Sequence, residues 1–257
     1  MEGNTISGPG NGIRLSLADN CEVSSNTLKL QKPSRFTNIG IYLGAGSQNT
    51  IKNNTVEKAW NSGIYVYNGG ASYKISSTNN VLTGNRVESC DADGILIDPQ
   101  SNNTTLTKNI AVKNDGSGIA VYHSTVSALD ENLVQNNKNY GIYAEGSNIK
   151  AQKMNEMSGN KGGYAMYMSG CKGKAQSLKS IKVNSLTPAV KKLTGYAAGG
   201  KSITVAVKKN KKKIGNGKIN TKGQYTVPIK KQKKGTVLLL SVTDKYKNCV
   251  TEERKIK

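Results

Sequence analysis

The stretches NIAVKNDGSGIAVY (109–122) and NLVQNNKNYGIYAE (132–145) decide the fold. Each opens on Asn, any residue, then an aliphatic; about six polar or small residues come next, and then Gly-Ile. Outward from this pair, the block starts again at Asn4, Asn26, Asn54, Asn85 and Asn155. Its glycine falls at Gly12, Gly40, Gly63, Gly94, Gly118, Gly141 and Gly163, at spacings of 28, 23, 31, 24, 23 and 22 residues. Ile follows the glycine in every copy but the last, which has Tyr164. Most copies close on a third short apolar piece, such as Thr50-Ile51, Val81-Leu82 or Thr105-Leu106.

Each copy therefore reads as three short strands joined by Asn-, Gly- and Ser-rich turns. In Gly-Ile-Tyr-Val-Tyr (63–67), Ile64 and Val66 share one face and Tyr65 and Tyr67 the other. No copy can bury its apolar face alone, so copies must stack. A period near 23 residues with three strands predicts one turn of a parallel β-helix. An Asn repeated at one corner can hydrogen-bond to its equivalents above and below. Asn and Gly are also expected at corners because both tolerate left-handed backbone.

Composition separates this region from the C-terminal part of the chain. The 257 residues carry a net charge of +21, but residues 1–176 hold only +3 of it and residues 177–257 hold +18. Of 29 Asn, 24 precede residue 177. Two regimes predict two domains, 1–176 and 177–257. A single His excludes a multi-His metal centre. No apolar run reaches the roughly 20 residues of a membrane span. Cys21, Cys90 and Cys171 fall three rungs apart, roughly 14 Å, which predicts free and mostly buried thiols. No leader or capping segment precedes the first rung, so further rungs and an export signal are expected upstream.

In the tail, Ser180–Leu186, Ser202–Val207, Gly223–Ile229 and Gly235–Asp244 alternate as antiparallel strands. The Lys runs 208–213 and 230–234 read as solvated turns that discourage edge pairing, or as an attraction for an anionic cell-wall polymer. No aromatics interleave with them and Arg is nearly absent, so nucleic acid is not the expected partner.

The Asn/Gly-Ile repeat, over residues 3 to about 174, resembles the right-handed parallel β-helix of the pectate-lyase-like superfamily. LeuThrGlyTyrAla (193–197), ThrLysGlyGlnTyrThrVal (221–227) and ThrValLeuLeuLeuSerValThrAsp (236–244) resemble bacterial Ig-like domains, whose usual Asp-Gly-Asn is replaced by LysTyrLysAsn (245–248). The resemblance implies an all-β chain: a right-handed parallel β-helix of about seven rungs, then an Ig-like β-sandwich. It also implies a secreted or cell-surface protein. The superfamily includes polysaccharide lyases, glycoside hydrolases, epimerases, adhesins and tailspikes.

In such folds ligands lie along an exposed sheet. The outward positions after Gly-Ile form two columns. One holds Arg14, Tyr42, Tyr65, Leu96, Ala120, Tyr143 and Ala165; the other Ser16, Gly44, Tyr67, Asp98, Tyr122, Glu145 and Tyr167. Tyr42, Tyr65, Tyr67, Tyr143 and Tyr167 are the expected sugar-binding residues, because amphipathic rings suit the apolar faces of sugars. Asp98 and Glu145, two rungs or about 9–10 Å apart, approach the separation of an inverting carboxylate pair. Tyr122 and His123 lie between them and complete a candidate acid–base set. Asp98-Pro99-Gln100 resembles the Asp-Pro-His of alginate C-5-epimerases, with Gln100 in place of the His. No cofactor motif is evident. Asp91 and Asp93 could hold a cation such as Ca2+, but two acids in one turn are more often turn formers. The expected function is binding, and cleavage or epimerisation, of a polysaccharide. The alternative is a non-catalytic adhesin or stalk.

Overall fold

The computed structural model describes residues 1–31, 38–69 and 77–257. Among these residues every regular element is a β-strand. Three parallel sheets wind around one core. The first stacks Thr5–Gly8, Thr27–Leu30, Thr55–Glu57, Arg86–Glu88, Ile110–Val112, Leu133–Gln135 and Glu156–Ser158. The second stacks the strands after Gly-Ile: Ile13–Ser16, Ile41–Gly44, Ile64–Tyr67, Ile95–Ile97, Ile119–Tyr122, Ile142–Glu145 and Tyr164–Ser169. The third runs from Glu22–Ser24 to Lys172–Gly173.

The alternation in each strand buries one aliphatic column per sheet. Ile13, Ile41, Ile64, Ile95, Ile119 and Ile142 are buried, as are Val23, Ile51, Leu82 and Leu106 in the third sheet. Each such side chain contributes about 1.5–3 kcal/mol by leaving water.

The Asn of each copy forms a continuous ladder, buried from Asn26 onward. Oδ1 of Asn54 accepts from the backbone N–H and the Nδ2 of Asn26, at 3.0 and 2.9 Å, and Oδ1 of Asn85 accepts likewise from Asn54. The same pair of bonds links Asn85 to Asn109, Asn109 to Asn132 and Asn132 to Asn155. The remaining Nδ2 proton of each goes to a backbone carbonyl, as from Asn109 to Leu82. The left-handed backbone is not at these Asn. It falls on the residue before each, at Ser25, Asn53, Gly84, Lys108, Glu131 and Met154. A second ladder, Asn114–Asn137–Asn160, lies five residues further along.

The repeat glycines also have a different cause from the one expected. None of the seven has positive φ. A Cβ on Gly118 would overlap Val134 Cγ1 and sit 2.9 Å from the Gly141 carbonyl oxygen, and Gly12, Gly40, Gly63, Gly94 and Gly141 are similarly crowded. Close rung-to-rung approach, not backbone conformation, excludes a side chain there. Gly163 has nothing within 4 Å because the last rung is shifted. Ile142 pairs with Met166 and Tyr143 with Tyr167, so Met166 and not Tyr164 continues the Ile column. Ala165 is buried in the core and not outward, and Tyr167 belongs to the first outward column beside Tyr143.

Of the cysteines, all free, only Cys90 is buried; Cys21, Cys171 and Cys249 are partly exposed, because they fall at corners or strand ends.

The C-terminal region is a sandwich of two antiparallel sheets. Lys182–Val183, Lys192–Tyr196 and Gln224–Pro228 form one; Ser202–Val207, Lys213–Lys218, Val237–Thr243 and Cys249–Lys255 the other. The second of these is continuous with the β-helix. Cys249–Lys255 pairs in parallel with Glu156–Ser158, the last strand of the first helical sheet. Val250 thereby continues the buried Val134–Met157 column. Asn248 enters the ladder as its eighth member, accepting from both donors of Asn155. The sandwich caps the helix by imitating one more rung.

Candidate functional site

The alternating strands of the second sheet put tyrosines on its outer face, and the stacking brings their rings together. Tyr42, Tyr65 and Tyr67 form one cluster, with ring centroids 5.8–6.1 Å apart. The Arg14 guanidinium lies 4.9 Å over the Tyr42 ring and donates through Nε to Ser16. Tyr122, Tyr143 and Tyr167 form a second cluster, at 5.5 and 5.9 Å. Tyr140 and Tyr164, absent from the expected set, join it. Tyr140 stacks on Tyr143 at 5.4 Å and Tyr164 lies 4.6 Å from Tyr167. The shared signal is position: Tyr140 precedes Gly141, and the register shift gives Tyr164 the same place before Ala165. Lys179, on the antiparallel strand that ends this sheet, lies 4.9 Å over the Tyr164 ring.

Between the clusters the first column holds Leu96 and Ala120. Ala120 is buried although it alternates outward, so the larger side chains around it cover its methyl. Asp98 stands at the edge of this gap, half-buried. Burial raises its carboxyl above the ordinary value, and a hydrogen-bonding interaction with Tyr65 partly offsets this. In return the Tyr65 phenol is pushed well up, first by burial and then by the Asp98 charge. Glu145 is partnered differently: the Tyr143 hydroxyl donates to it at 2.7 Å, which raises the Tyr143 phenol further than burial does.

Tyr122 lies between the two carboxylates, directly paired with Glu145. Its phenol is raised by burial, then by Asp93 and Glu145. His123 sits apart. It occupies a left-handed corner (φ 41°), is exposed, and lays its ring against Gly146. Among the described residues no hydrogen bond joins its imidazole to Asp98, Tyr122 or Glu145. Gln100 is the left-handed corner of the preceding rung, and its N–H donates to the His123 carbonyl at 3.2 Å. The structure thus brings together Asp98 with Tyr65 and Glu145 with Tyr143, and leaves His123 at the corner.

Asp93 accepts the Ser117 N–H at 2.6 Å, and burial raises its carboxyl. Among the described residues no group of three or more His, Cys, Asp or Glu side chains converges. No helix in the described residues is long and apolar enough to cross a membrane.

No curated protein matches the chain in sequence. Among solved structures, the periplasmic alginate epimerase AlgG (T265N mutant) superposes with a TM-score of 0.44 at 17% identity, over 67% of this chain and 41% of that one. The enzymatically active domain of tailspike protein 2 of bacteriophage CBA120 gives 0.40 at 9% identity, over 100% and 50%. The chain thus spans half or less of the length of these two proteins. The receptor binding domain of the siphovirus 9NA tailspike gives 0.30 at 10% identity, over 97% and 68%. The family models are more specific. Residues 179–254 match the bacterial Ig domain, and residues 2–161 match the right handed beta helix region. With more than half of its length under that second match, the chain belongs to the right-handed β-helix family and carries a bacterial Ig domain behind the helix.

Proposed function

We propose that this is a secreted or cell-surface protein that binds a polysaccharide along the tyrosine-bearing sheet. The observation that carries the reading is the pair of tyrosine clusters flanking a gap edged by Asp98. Rings at both ends offer apolar faces to successive sugars, and their hydroxyls hydrogen-bond. Asp98, whose carboxyl burial raises above its ordinary value, suits an acid that protonates a glycosidic oxygen. Glu145, two rungs away, suits a base that takes a proton from water, and Tyr122 lies between. This supports cleavage as the finer reading, and Asp98, Glu145 and Tyr122 are better placed for it than His123. Epimerisation would use the same acid and base groups.

The joint favours a second reading, a non-catalytic adhesin or stalk, because one sheet and one ladder run from the helix into the sandwich as a rigid rod.

A polysaccharide panel separates these readings. Binding should weaken in Tyr65→Ala and in Tyr143→Ala. New reducing or unsaturated ends that disappear in Asp98→Asn identify an enzyme; binding without new ends identifies a binder. Binding unchanged in both tyrosine variants overturns the proposed face.

A further inference from the structure

The +18 charge of residues 177–257 is not spread evenly over the sandwich. The strand pairing sorts it. Ser202–Val207 and Lys213–Lys218 pair so that Ala206 meets Lys213, which puts the turn 208–213 at one end of the sandwich. Val207 pairs with Leu238, and Gly235 donates to the Ile256 carbonyl, so segment 230–236 and the chain end lie at that end too. Lys192 pairs with Pro228, and Ile229 donates to the Lys191 carbonyl, which adds the Lys191–Lys192 pair.

Thirteen lysines are gathered there, five in 208–213, four in 230–234, and Lys191, Lys192, Lys255 and Lys257. All are exposed. The opposite end, with Asp244 and Asn248, is fixed to the β-helix.

The carboxylates of the domain do not neutralise this pole. It has three. Asp244 is buried at the joint, where it accepts from Asn248. Glu252 accepts the Ile181 N–H and pairs with Arg254. Glu253 pairs with Lys208. Among the described residues, the other twelve lysines of the pole have no carboxylate partner. Such crowding costs self-repulsion, and a bound polyanion relieves it.

We infer that this pole is a docking surface for a linear phosphate polymer other than nucleic acid. The ligands are all compact ammonium charges, which suit a row of phosphates as point charges, whereas planar, bidentate recognition of carboxylates favours arginine. Base recognition would need stacking rings or free guanidinium groups. Tyr196 and Tyr246 lie toward the other end, Tyr225 is buried, and Arg254 is held by Glu252 and the Ile181 carbonyl. The surface is separate from the tyrosine face.

The test uses the full chain, because removing the sandwich would uncap the helix. Lys209, Lys211, Lys212, Lys231, Lys233 and Lys234 are changed together to Gln, and separately to Arg. Poly(glycerol phosphate), polygalacturonate and a short DNA duplex are titrated at low and high salt. The native chain should bind poly(glycerol phosphate) most tightly of the three, and raised salt should weaken that binding. The Gln variant should bind about tenfold or more weakly, while the Arg variant retains binding. Tyr65→Ala should leave this binding unchanged, which keeps it apart from the tyrosine face. Equal binding by the native and Gln chains, no binding of poly(glycerol phosphate), or tighter binding of polygalacturonate or DNA would each overturn the inference.

Discussion

Asn155 donates its backbone N–H and its side-chain amide to Oδ1 of Asn248, 93 positions away, at 3.0 and 2.8 Å. These are the bonds every earlier Asn of the ladder makes to the next rung. Asn248 in turn is held by Asp244, which accepts its N–H and its Nδ2, each at 2.9 Å. The segment Lys245–Asn248, where the Ig-like pattern lacks its usual Asp-Gly-Asn, is the segment that completes the helix.

Asn248→Ala should therefore destabilise both parts at once. It leaves two donors of Asn155 buried without acceptors, a loss of about 2–4 kcal/mol. Urea unfolding of the native chain should show one cooperative transition, and that of the variant an earlier midpoint. Asn4→Ala, at the exposed end of the ladder, should cost under about 1 kcal/mol. Equal shifts in the two variants would show that the joint carries no special stability.

Gly118→Ala should cost about 1–3 kcal/mol or more, since its methyl overlaps Val134 and crowds Asn137 and the Gly141 carbonyl. Gly163→Ala should be close to neutral, because nothing lies within 4 Å and its φ is negative. Thermal midpoints of the two variants compare them directly. A tolerated alanine at Gly118 would mean that the rungs can move apart.

The architecture was legible because a stacked repeat writes the same physical demand many times. Seven Asn and seven Gly at matched places leave few alternatives. What was hidden depended on register. Tyr164 follows Gly163 as Ile follows the other glycines, so spacing alone put Tyr167 in the column of Glu145. The two-residue shift is set by the pairing of Ile142 with Met166, which is a packing outcome and has no local signal. The cap was hidden for a similar reason. Asn248 lies 93 residues from Asn155, in a segment whose composition belongs to the other domain. The second ladder could have been found, since Asn114, Asn137 and Asn160 each follow a ladder Asn by five residues.

Tyr140 gives a test of the tyrosine face that the strand pattern alone would not suggest. It precedes its strand, yet stacks on Tyr143 and lies 5.4 Å from Tyr167. Tyr140→Ala should weaken glycan binding about tenfold, near 1.4 kcal/mol, as much as Tyr143→Ala does. Tyr246→Ala, on the sandwich, should not change it. An unaltered affinity in Tyr140→Ala would confine the binding surface to the strand residues.

Burial pushes the Cys90 thiol up to about 12. At neutral pH almost none of it is thiolate, and the surrounding core excludes reagents. Cys90 should therefore react with a thiol probe only as fast as the chain unfolds, while the partly exposed Cys21 reacts in the native state. Mass spectrometry of the labelled peptides distinguishes the two. Rapid labelling of Cys90 without unfolding would mean that the fourth rung opens locally.

Asp98 and Tyr65 give a prediction with a definite sign. Burial raises the folded-state pKa of Asp98, and the Tyr65 interaction lowers it in part. Tyr65→Phe removes the lowering partner, so the midpoint of Asp98 should move higher still. A carboxyl whose folded pKa exceeds its unfolded value binds its proton more tightly when folded. The stability it contributes is present below the unfolded pKa and is lost as pH rises through the folded pKa. The Tyr65→Phe chain should therefore lose more stability than the native chain as pH rises through the carboxylate range. Side-chain carboxyl NMR gives the midpoint, and urea titrations across that range give the stability difference. If the phenol instead acts on Asp98 mainly by excluding water, its replacement by the similarly bulky Phe would leave the midpoint where it is, and the Tyr65–Asp98 interaction would have no part in setting the acid.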